Sequence, residues 1–306
     1  MVPSRLRAVM SRFRLAVGIQ IVYDKTMDDK TKTPPSLLEQ FVRDAGAGIP
    51  EISNRDMAGV ILPNLDYEAQ LIAISGLLQR NDEADKRVEA EMKALDEYAG
   101  RTTGRRNQRA IGEYGELFYV SIYQGAAHSM AALGMLAPLF ESLFFQAFQG
   151  IRKEYYGGAI PAGTLRSGIP NPEHFWDCHF VYSGKAKSKT RKDLVLGVIE
   201  LAEAIGFTPP SDLLPALKAL FRYRNKMFHC GFEWPANELA NFAKEVADEG
   251  WETLFSNAMH GDTPWIFYMT DAFINHCRDL VHRLLEALGK YCHDRHPLAQ
   301  VPVGPI

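Results

Sequence analysis

The spacing of apolar residues along this chain is helical almost throughout, and stretches that alternate between apolar and polar residues are scarce. Residues 67–98 have the pattern of one long helix or two stacked ones, and residues 113–155 form a second long helical stretch. Thr263 and Pro264 predict the cap and first position of a final helix. Its apolar residues recur three or four positions apart, at Ile266, Met269, Phe273, Leu280, Leu284, Leu288 and Tyr291. The pattern predicts an all-α helical bundle.

Shifts in composition divide this helical pattern into regions. The segment from Gly100 to Gly112 contains four arginines and predicts a linker between an N-terminal helical region, residues 1–105, and a helical domain, residues 106–306. The N-terminal region opens with a basic extension, because its first 23 residues carry four arginines and no acid. A targeting peptide is the alternative interpretation of this extension, but the apolar run after it is short and lacks a small-residue cleavage site. Residues 157–192 are rich in Gly, Pro, Ser and Lys, which predicts an irregular insertion.

Composition and charge restrict the class of protein. With 46% hydrophobic and 23% charged residues, the 306-residue chain has the composition of a folded globular protein. A formal net charge of -3 argues against a strongly cationic nucleic-acid coat protein, so any contact with RNA must be local. The four cysteines are widely spaced and form no CxxC pair, which predicts free thiols in a reducing compartment such as the cytoplasm.

The most apolar segment, residues 130–148, is nearly long enough to cross a bilayer. Pro138, Glu141 and Gln146 interrupt it, and polar residues of this kind are costly in lipid. We therefore expect a buried core helix and no association with a membrane.

A second helix carries the residues with the most distinctive chemistry. It is predicted to begin after Ser211 or Asp212 and to end near Gly231, where glycine suits the position that follows a helix. Rotation by about 100° per residue places Arg224 at the centre of its apolar arc, which contains Leu213, Leu214, Leu217, Leu220, Phe221, Met227 and Phe228. A buried guanidinium needs a carboxylate partner, so we expect it to pair with Glu141 on a facing helix.

Three polar residues of the same helix lie on its other side. Arg222, Asn225 and His229 are spaced i, i+3 and i+7, which places them along one more polar face. This arrangement brings together a permanent cation, an amide and the one side chain whose charge ordinarily changes near neutral pH. Such a trio is suited to phosphodiester chemistry, with Arg222 as a second candidate, beside Arg224, for a ligand of phosphate.

The segment from Arg224 to His229 resembles the RNxxxH form of the RxxxxH signature of the HEPN superfamily. An RxxxxH pattern is expected by chance about 0.6 times in a chain of this composition, and requiring the adjacent asparagine lowers the expectation to about 0.02. The resemblance also takes in the long apolar helix with Glu141, and so covers residues 113–291. It implies a HEPN-like helical bundle, which would correspond to the domain at residues 106–306.

The resemblance implies a metal-independent endoribonuclease that needs no cofactor. His229 would act as general base or acid while a 2′-hydroxyl attacks phosphorus, leaving a 2′,3′-cyclic phosphate. Arg224 would neutralise the phosphorane oxygens, and Asn225 would orient the histidine or donate to a phosphate oxygen. Because family members usually build the cleft from two copies of the motif and this chain has one, a homodimer is implied. A role as a toxin or phage-defence effector, held in check by a neutralising antitoxin-like protein, is the corresponding biological expectation.

Other groups in the sequence suggest contacts with RNA. Five basic residues crowd one loop and can bind an RNA backbone, although a solvated loop is the alternative; they are Lys185, Lys187, Lys189, Arg191 and Lys192. Tyr223, Phe232 and Trp234 flank the motif and suit either base stacking or core packing. Two rival functions stay open: a non-catalytic HEPN-like module that binds nucleotide, RNA or a partner protein, and a helical scaffold that carries the motif by chance. No tight group of metal ligands is predicted.

Overall fold

The computed structural model describes residues 53–164, 166, 169, 171–182 and 191–295. From Asn54 onward these residues belong to one compact unit, and they are mainly helical, which confirms the predicted all-α character. The helices and strands in chain order are α1 (Asn54–Ile61), α2 (Tyr67–Arg101), α3 (Arg105–Tyr156), α4 (Pro172–Phe175), β1 (Phe180–Val181), β2 (Arg191–Lys192), α5 (Leu194–Ile205), α6 (Leu213–Cys230), α7 (Ala236–Asp248), β3 (Phe255–His260), β4 (Thr263–Met269) and α8 (Asp271–Arg295).

Helices α2 and α3 form a long hairpin that is joined by only three residues. A connection this short makes the two helices antiparallel neighbours. The linker predicted at residues 100–112 is therefore wrong, since most of it forms the first turns of α3. The division predicted at residue 105 falls in this turn, and the compact unit starts at Asn54 instead. Of the predicted N-terminal region, residues 1–52 lie outside the described residues.

Helix α3 forms the centre of the core. Leu133, Leu136, Phe140 and Leu143 are fully buried there, and the helix continues through Pro138. Among the described residues it is the one helix that is long and apolar enough to cross a membrane. Because 56% of its most apolar window is buried inside the protein, it has the character of the predicted core helix.

Two glycines allow α1 to lie directly on the backbones of its neighbours. A Cβ atom on Gly289 of α8 would lie 1.5 Å from the carbonyl oxygen of Asn54, at the start of α1. A Cβ atom on Gly150 of α3 would lie 2.1 Å from the carbonyl oxygen of Ile61, at the end of α1. Any larger residue at these positions would force the helices apart.

The predicted start of the final helix is wrong. Residues 255–269 form an antiparallel hairpin, in which Phe255 pairs with Met269 and His260 with Thr263. Its two-residue connection places Gly261 at a φ of 62°, a conformation that glycine adopts easily. The spacing of Ile266 and Met269 is compatible with a helix as well as with a strand. In the structure both residues belong to β4, which pairs with β3 up to the residues just before α8. Helix α8 begins only at Asp271.

The described residues of the insertion, which was predicted over residues 157–192, are largely irregular. Only the single turn α4 and the two-residue pairing of β1 with β2 are regular. The fully buried Arg166 holds this region together, because its Nε donates to Glu200 at 2.8 Å and its Nη1 donates to the carbonyl of Phe175 at 2.5 Å. The insertion is thus anchored by a buried cation that hydrogen-bonds main-chain carbonyls.

Candidate functional site

Helix α6 has the bounds that the sequence predicts. It begins after Asp212 and ends at Cys230, and the N–H of Gly231 donates to the carbonyl of Met227 at 2.9 Å. In its last two turns Tyr223 and Met227 are buried, whereas Asn225, Phe228 and His229 are exposed. The end of the helix therefore presents one face to the core and the other to solvent.

Tyr223 anchors the inner face. Its ring lies 5.0 Å from that of Phe255 and 5.9 Å from that of Phe242, and its hydroxyl donates to the carbonyl of Phe267 at 2.7 Å. Burial raises the pKa of this phenol. Trp234 is also buried in the same cluster. Of the three aromatic residues that suited either stacking or packing, Tyr223 and Trp234 are therefore core residues.

Arg224 lies at the edge of the core and not at its centre, so its predicted burial is wrong. Its guanidinium lies 5.8 Å from the ring centroid of Phe228, and its Nη1 lies 3.5 Å from Oδ1 of Asn225. The buried side of α6 also includes Ala216, Ala219 and Tyr223, so it is rotated away from Arg224 relative to the predicted arc. Phe228, which the same arc placed inside, is 59% exposed.

The predicted pairing of Arg224 with Glu141 is also wrong. Glu141 lies 3.2 Å from Nε2 of His179, and Asp177 lies 2.8 Å from the other ring nitrogen. The three side chains are between 29% and 38% exposed. Glu141 therefore belongs to a partly solvated cluster with the insertion, where water and a histidine offset its charge, and it does not need the arginine.

His229 is exposed in the last turn of α6. None of the described residues forms a hydrogen bond with its imidazole, so nothing in this part of the chain blocks access to it. Asn225 is also exposed, one turn earlier. Arg222 lies on this side too, but its Nε donates to Glu245 of α7 at 2.6 Å. The structure thus brings Arg224, Asn225 and His229 to one open helix end, with the charge of Arg222 already paired.

A row of aromatic side chains begins just beyond this helix end, and we call it the aromatic row. Each ring lies 5.7 to 6.5 Å from the next between centroids, in the order Phe232, Tyr123, Trp265, Tyr119 and Phe118. Tyr119 and Phe118, at the far end of the row, are 55% and 45% exposed. The rings of Phe232, Tyr123 and Trp265 pack on a small buried apolar cluster that includes Ile122 and Ile266. This packing holds the row against the body of the protein.

Sequence reasoning found only one member of the aromatic row, Phe232. The other members come from α3 and β4, and the hairpin that carries Trp265 was predicted as helix. Tyr119 and Tyr123 are four residues apart on one helix, and this spacing was the available signal. The hydroxyl of Tyr123 donates to Glu233, which raises the pKa of the phenol.

The basic loop is only partly within the described structure. Arg191 is exposed and donates to Asp193 at 2.8 Å, and the ammonium of exposed Lys192 lies 6.0 Å from the ring centroid of Phe180. Lys185, Lys187 and Lys189 lie outside the described residues. The carboxylate of Asp193 also caps α5 and is therefore held in place beside Arg191. Its negative charge makes the described end of the loop less positive than the sequence indicates.

Within the same described ranges, no group of three or more His, Cys, Asp or Glu side chains is placed to hold a metal ion. All four cysteines of the chain are free thiols. No family model, no curated protein and no solved structure matches this chain.

Proposed function

We propose that this protein is a HEPN-type endoribonuclease that cleaves single-stranded RNA without a metal ion or cofactor. The observation that carries the proposal is the open end of α6, where His229 is exposed to solvent about one turn after Asn225 and about 1.4 turns after Arg224. An imidazole, a guanidinium and an amide at one helix end supply one acid or base, a cation and a hydrogen-bond donor for transfer of a phosphodiester within the same strand.

The proposed reaction needs a base, an acid and a cation. The 2′-hydroxyl loses its proton to a base and attacks the adjacent phosphorus, while the bond to the 5′-oxygen breaks and that oxygen takes a proton. The products are a 2′,3′-cyclic phosphate and a 5′-hydroxyl, and no water is consumed. His229 serves as the base or the acid, and Arg224 neutralises the oxygens on phosphorus. Asn225 donates to a phosphate oxygen or orients the histidine.

The position of Arg224 supports this assignment. Its guanidinium lies 5.8 Å from the ring centroid of Phe228, the residue directly before His229. Because Arg224 and His229 are about 140° apart around an ideal helix, they would act together by approach at the helix end or across a dimer. Arg222 is the weaker candidate for a phosphate ligand, because its ion pair with Glu245 would have to be broken. Arg191 and Lys192 are retained as contacts to the RNA backbone, together with the three lysines outside the described residues.

The aromatic row supports a single-stranded substrate. Unpaired bases stack on aromatic rings with free energies of about 1–3 kcal/mol per base. Phe232 follows His229 by three residues, so a base stacked there would hold the next phosphate near the imidazole. We expect Phe232→Ala to raise KM for RNA more than it lowers kcat, because the ring binds substrate and takes no part in the chemistry.

A homodimer would supply the second acid or base, because the chain has one copy of the motif. In this proposal the enzyme acts in the cytoplasm as a toxin or phage-defence effector, and an antitoxin-like protein that covers His229 would neutralise it. Light scattering of the purified chain tests whether it forms a homodimer. A monomer at the protein concentration at which RNA is cleaved would contradict the proposed dimer.

Cleavage of labelled single-stranded RNA in the presence of EDTA tests the proposed reaction. We expect wild-type protein to produce fragments that end in 2′,3′-cyclic phosphate, and His229→Ala to lower the rate by about 100-fold or more. His293→Ala is a matched control, because His293 is an exposed histidine in the last turn of another helix. Cleavage that survives His229→Ala would contradict the mechanism, as would cleavage of RNA with a 2′-deoxy group at the scissile position.

A non-catalytic module that binds RNA, nucleotide or a protein partner is the second candidate. It is favoured by the absence, among the described residues, of any hydrogen bond that would orient the ring of His229. It predicts that wild-type protein binds single-stranded RNA, as measured by fluorescence anisotropy, but leaves it intact at high protein concentration.

A further inference from the structure

A cavity of about 290 Å³, partly open to solvent, lies between α2, α3 and the first turns of α8. Its volume is at the lower end of the range for small-molecule sites, so a ligand that fills it has to be small. The buried side chains of Leu78 and Ile274 give it an apolar part. The rest of the lining is polar and includes His128, Asp271 and Arg278.

His128 is the most unusual group in this lining. It is 8% exposed, and its Nδ1 lies 3.2 Å from a carboxylate oxygen of Asp85 on α2. Since a carboxylate only accepts, Nδ1 is the donor in this contact, which holds the ring in one orientation. Its Nε2 is buried and has no hydrogen-bond partner among the described residues. A buried polar atom without a partner costs about 1–3 kcal/mol, so a ligand that bonds to it recovers this energy.

Helix α8 supplies one cation and one anion to the same cavity. Arg278 donates to Ser75 at 2.7 Å and to Asn275 at 2.9 Å, both of which are uncharged. Neither Arg278 nor Asp271 forms an ion pair with any other described residue. Arg278 therefore lies at the cavity without a carboxylate partner among the described residues, and the charge of Asp271 acts on Lys86 of α2 without forming an ion pair with it.

The balance of charge selects the class of ligand. Asp82 also lines the cavity, but it already pairs with Lys86 at 2.7 Å. A phosphate or other pure anion would meet the carboxylate of Asp271, and a polyamine would meet Arg278, so each would be opposed by part of the lining. A ligand that carries one positive and one negative group is complementary to both.

We propose that this cavity binds a free α-amino acid or a closely similar small zwitterion. Its carboxylate pairs with Arg278, and its ammonium group donates to Nε2 of His128 or to Asp271. The apolar side chain packs on Leu78 and Ile274. This site is separate from the one assigned to RNA, and it does not depend on nuclease activity.

Isothermal titration calorimetry of the full chain with a panel of L-amino acids tests the proposal. L-leucine has two matched analogues: isopentylamine lacks the carboxylate, and 4-methylpentanoate lacks the ammonium group. For the amino acid that binds, we expect each single-charge analogue to bind at least about tenfold more weakly, the usual effect of losing one charge-assisted hydrogen bond. Absence of binding by every member of the panel at millimolar concentration would overturn the proposal, and so would equal binding of the analogues.

Variants locate the binding in this cavity. The substitutions Arg278→Gln and His128→Phe should each lower the affinity for the amino acid by about tenfold or more. Lys290→Gln is the control on the same helix, because Lys290 is exposed, pairs with Asp294 and does not line the cavity. The His128→Phe variant tests whether Nε2 binds the ligand, provided that its circular dichroism and melting temperature match those of wild type. Arg278 is partly exposed, so the Arg278→Gln variant should fold. Unchanged affinity in folded Arg278→Gln would overturn the assignment.

Discussion

The hydroxyl of Tyr223 donates a hydrogen bond of 2.7 Å to the main-chain carbonyl of Phe267. This bond ties α6 to the central part of β4, where both residues are buried. Because Tyr223 precedes Arg224 directly, the bond also determines the rotation of the helix end that carries the candidate site. With Tyr223 and Met227 turned inward, Asn225 and His229 have to face solvent.

Replacement of Tyr223 by phenylalanine should destabilise the protein by about 1–3 kcal/mol, because the carbonyl of Phe267 is left buried without its donor. Urea unfolding followed by circular dichroism measures this change. Tyr119→Phe is the control, since Tyr119 is 55% exposed and should change stability by no more than about 0.5 kcal/mol. Equal stability of the two variants would show that the bond between α6 and β4 contributes nothing.

The glycine contacts of α1 lead to a second prediction. Gly289→Ala should destabilise the protein by about 1–3 kcal/mol or more, because the new methyl group would overlap the backbone of Asn54. Gly134→Ala in α3 is a matched substitution in a helix, with no atom within 4 Å of the added carbon. It should leave stability unchanged or raise it by up to about 1 kcal/mol, because alanine favours helix. Thermal unfolding of the two variants compares them directly, and a Gly289→Ala variant as stable as wild type would refute the close packing of α1 on α8.

The start of α6 should make stability depend on pH. The hydrogen bond from Arg283 holds the pKa of Asp212 below its ordinary value, and the positive charges of Arg283 and His276 act in the same direction. A lowered folded pKa stabilises the protein above the unfolded value of about 3.9, and this contribution is lost as the pH falls through the folded pKa. The pair is partly solvated, so the contribution is below about 1 kcal/mol.

Arg283→Gln tests this dependence. The difference in unfolding free energy between wild type and the variant should be constant at neutral pH and should shrink below about pH 4. Denaturant titrations across this range measure it. A difference that grows as the pH falls would have the wrong sign and would exclude the assigned pair.

The thiols should differ in reactivity. Burial raises the pKa of Cys178 to about 12 and that of Cys292 to about 11, and Cys277 is fully buried with its pKa raised by the same cause. Thiolate is the reactive form, so these three should resist alkylation in the folded protein. Cys230 is partly exposed and should react first with iodoacetamide, as measured by mass spectrometry. Cys230→Ser should remove the fast-reacting thiol, and rapid labelling of Cys178 in the folded state would contradict the structure.

Local signals in the sequence were sufficient to predict several of the helices. Asp212 and Gly231 flank α6 as predicted. Gly231 has the positive φ that suits the residue after a helix, whereas the carboxylate of Asp212 makes no cap hydrogen bond and pairs with Arg283 instead. The length of α2 and the core position of α3 follow from periodicity, which is also local. The hairpin of β3 and β4 was missed, although Gly261 and Asp262 form a two-residue turn signal, because apolar spacing after Pro264 fits a helix equally well.

The sequence by itself determined that Arg224, Asn225 and His229 lie on the last turns of a capped helix, since three positions on one helix have fixed relative rotations. Only the tertiary structure decided that Arg224 lies at the edge of the core, that Glu141 contacts His179, and that His128 faces a cavity with Arg278. Rotation about a helix axis is a property of the helix alone. Burial depends on where neighbouring helices end, and residues distant in the chain meet only when those helices pack.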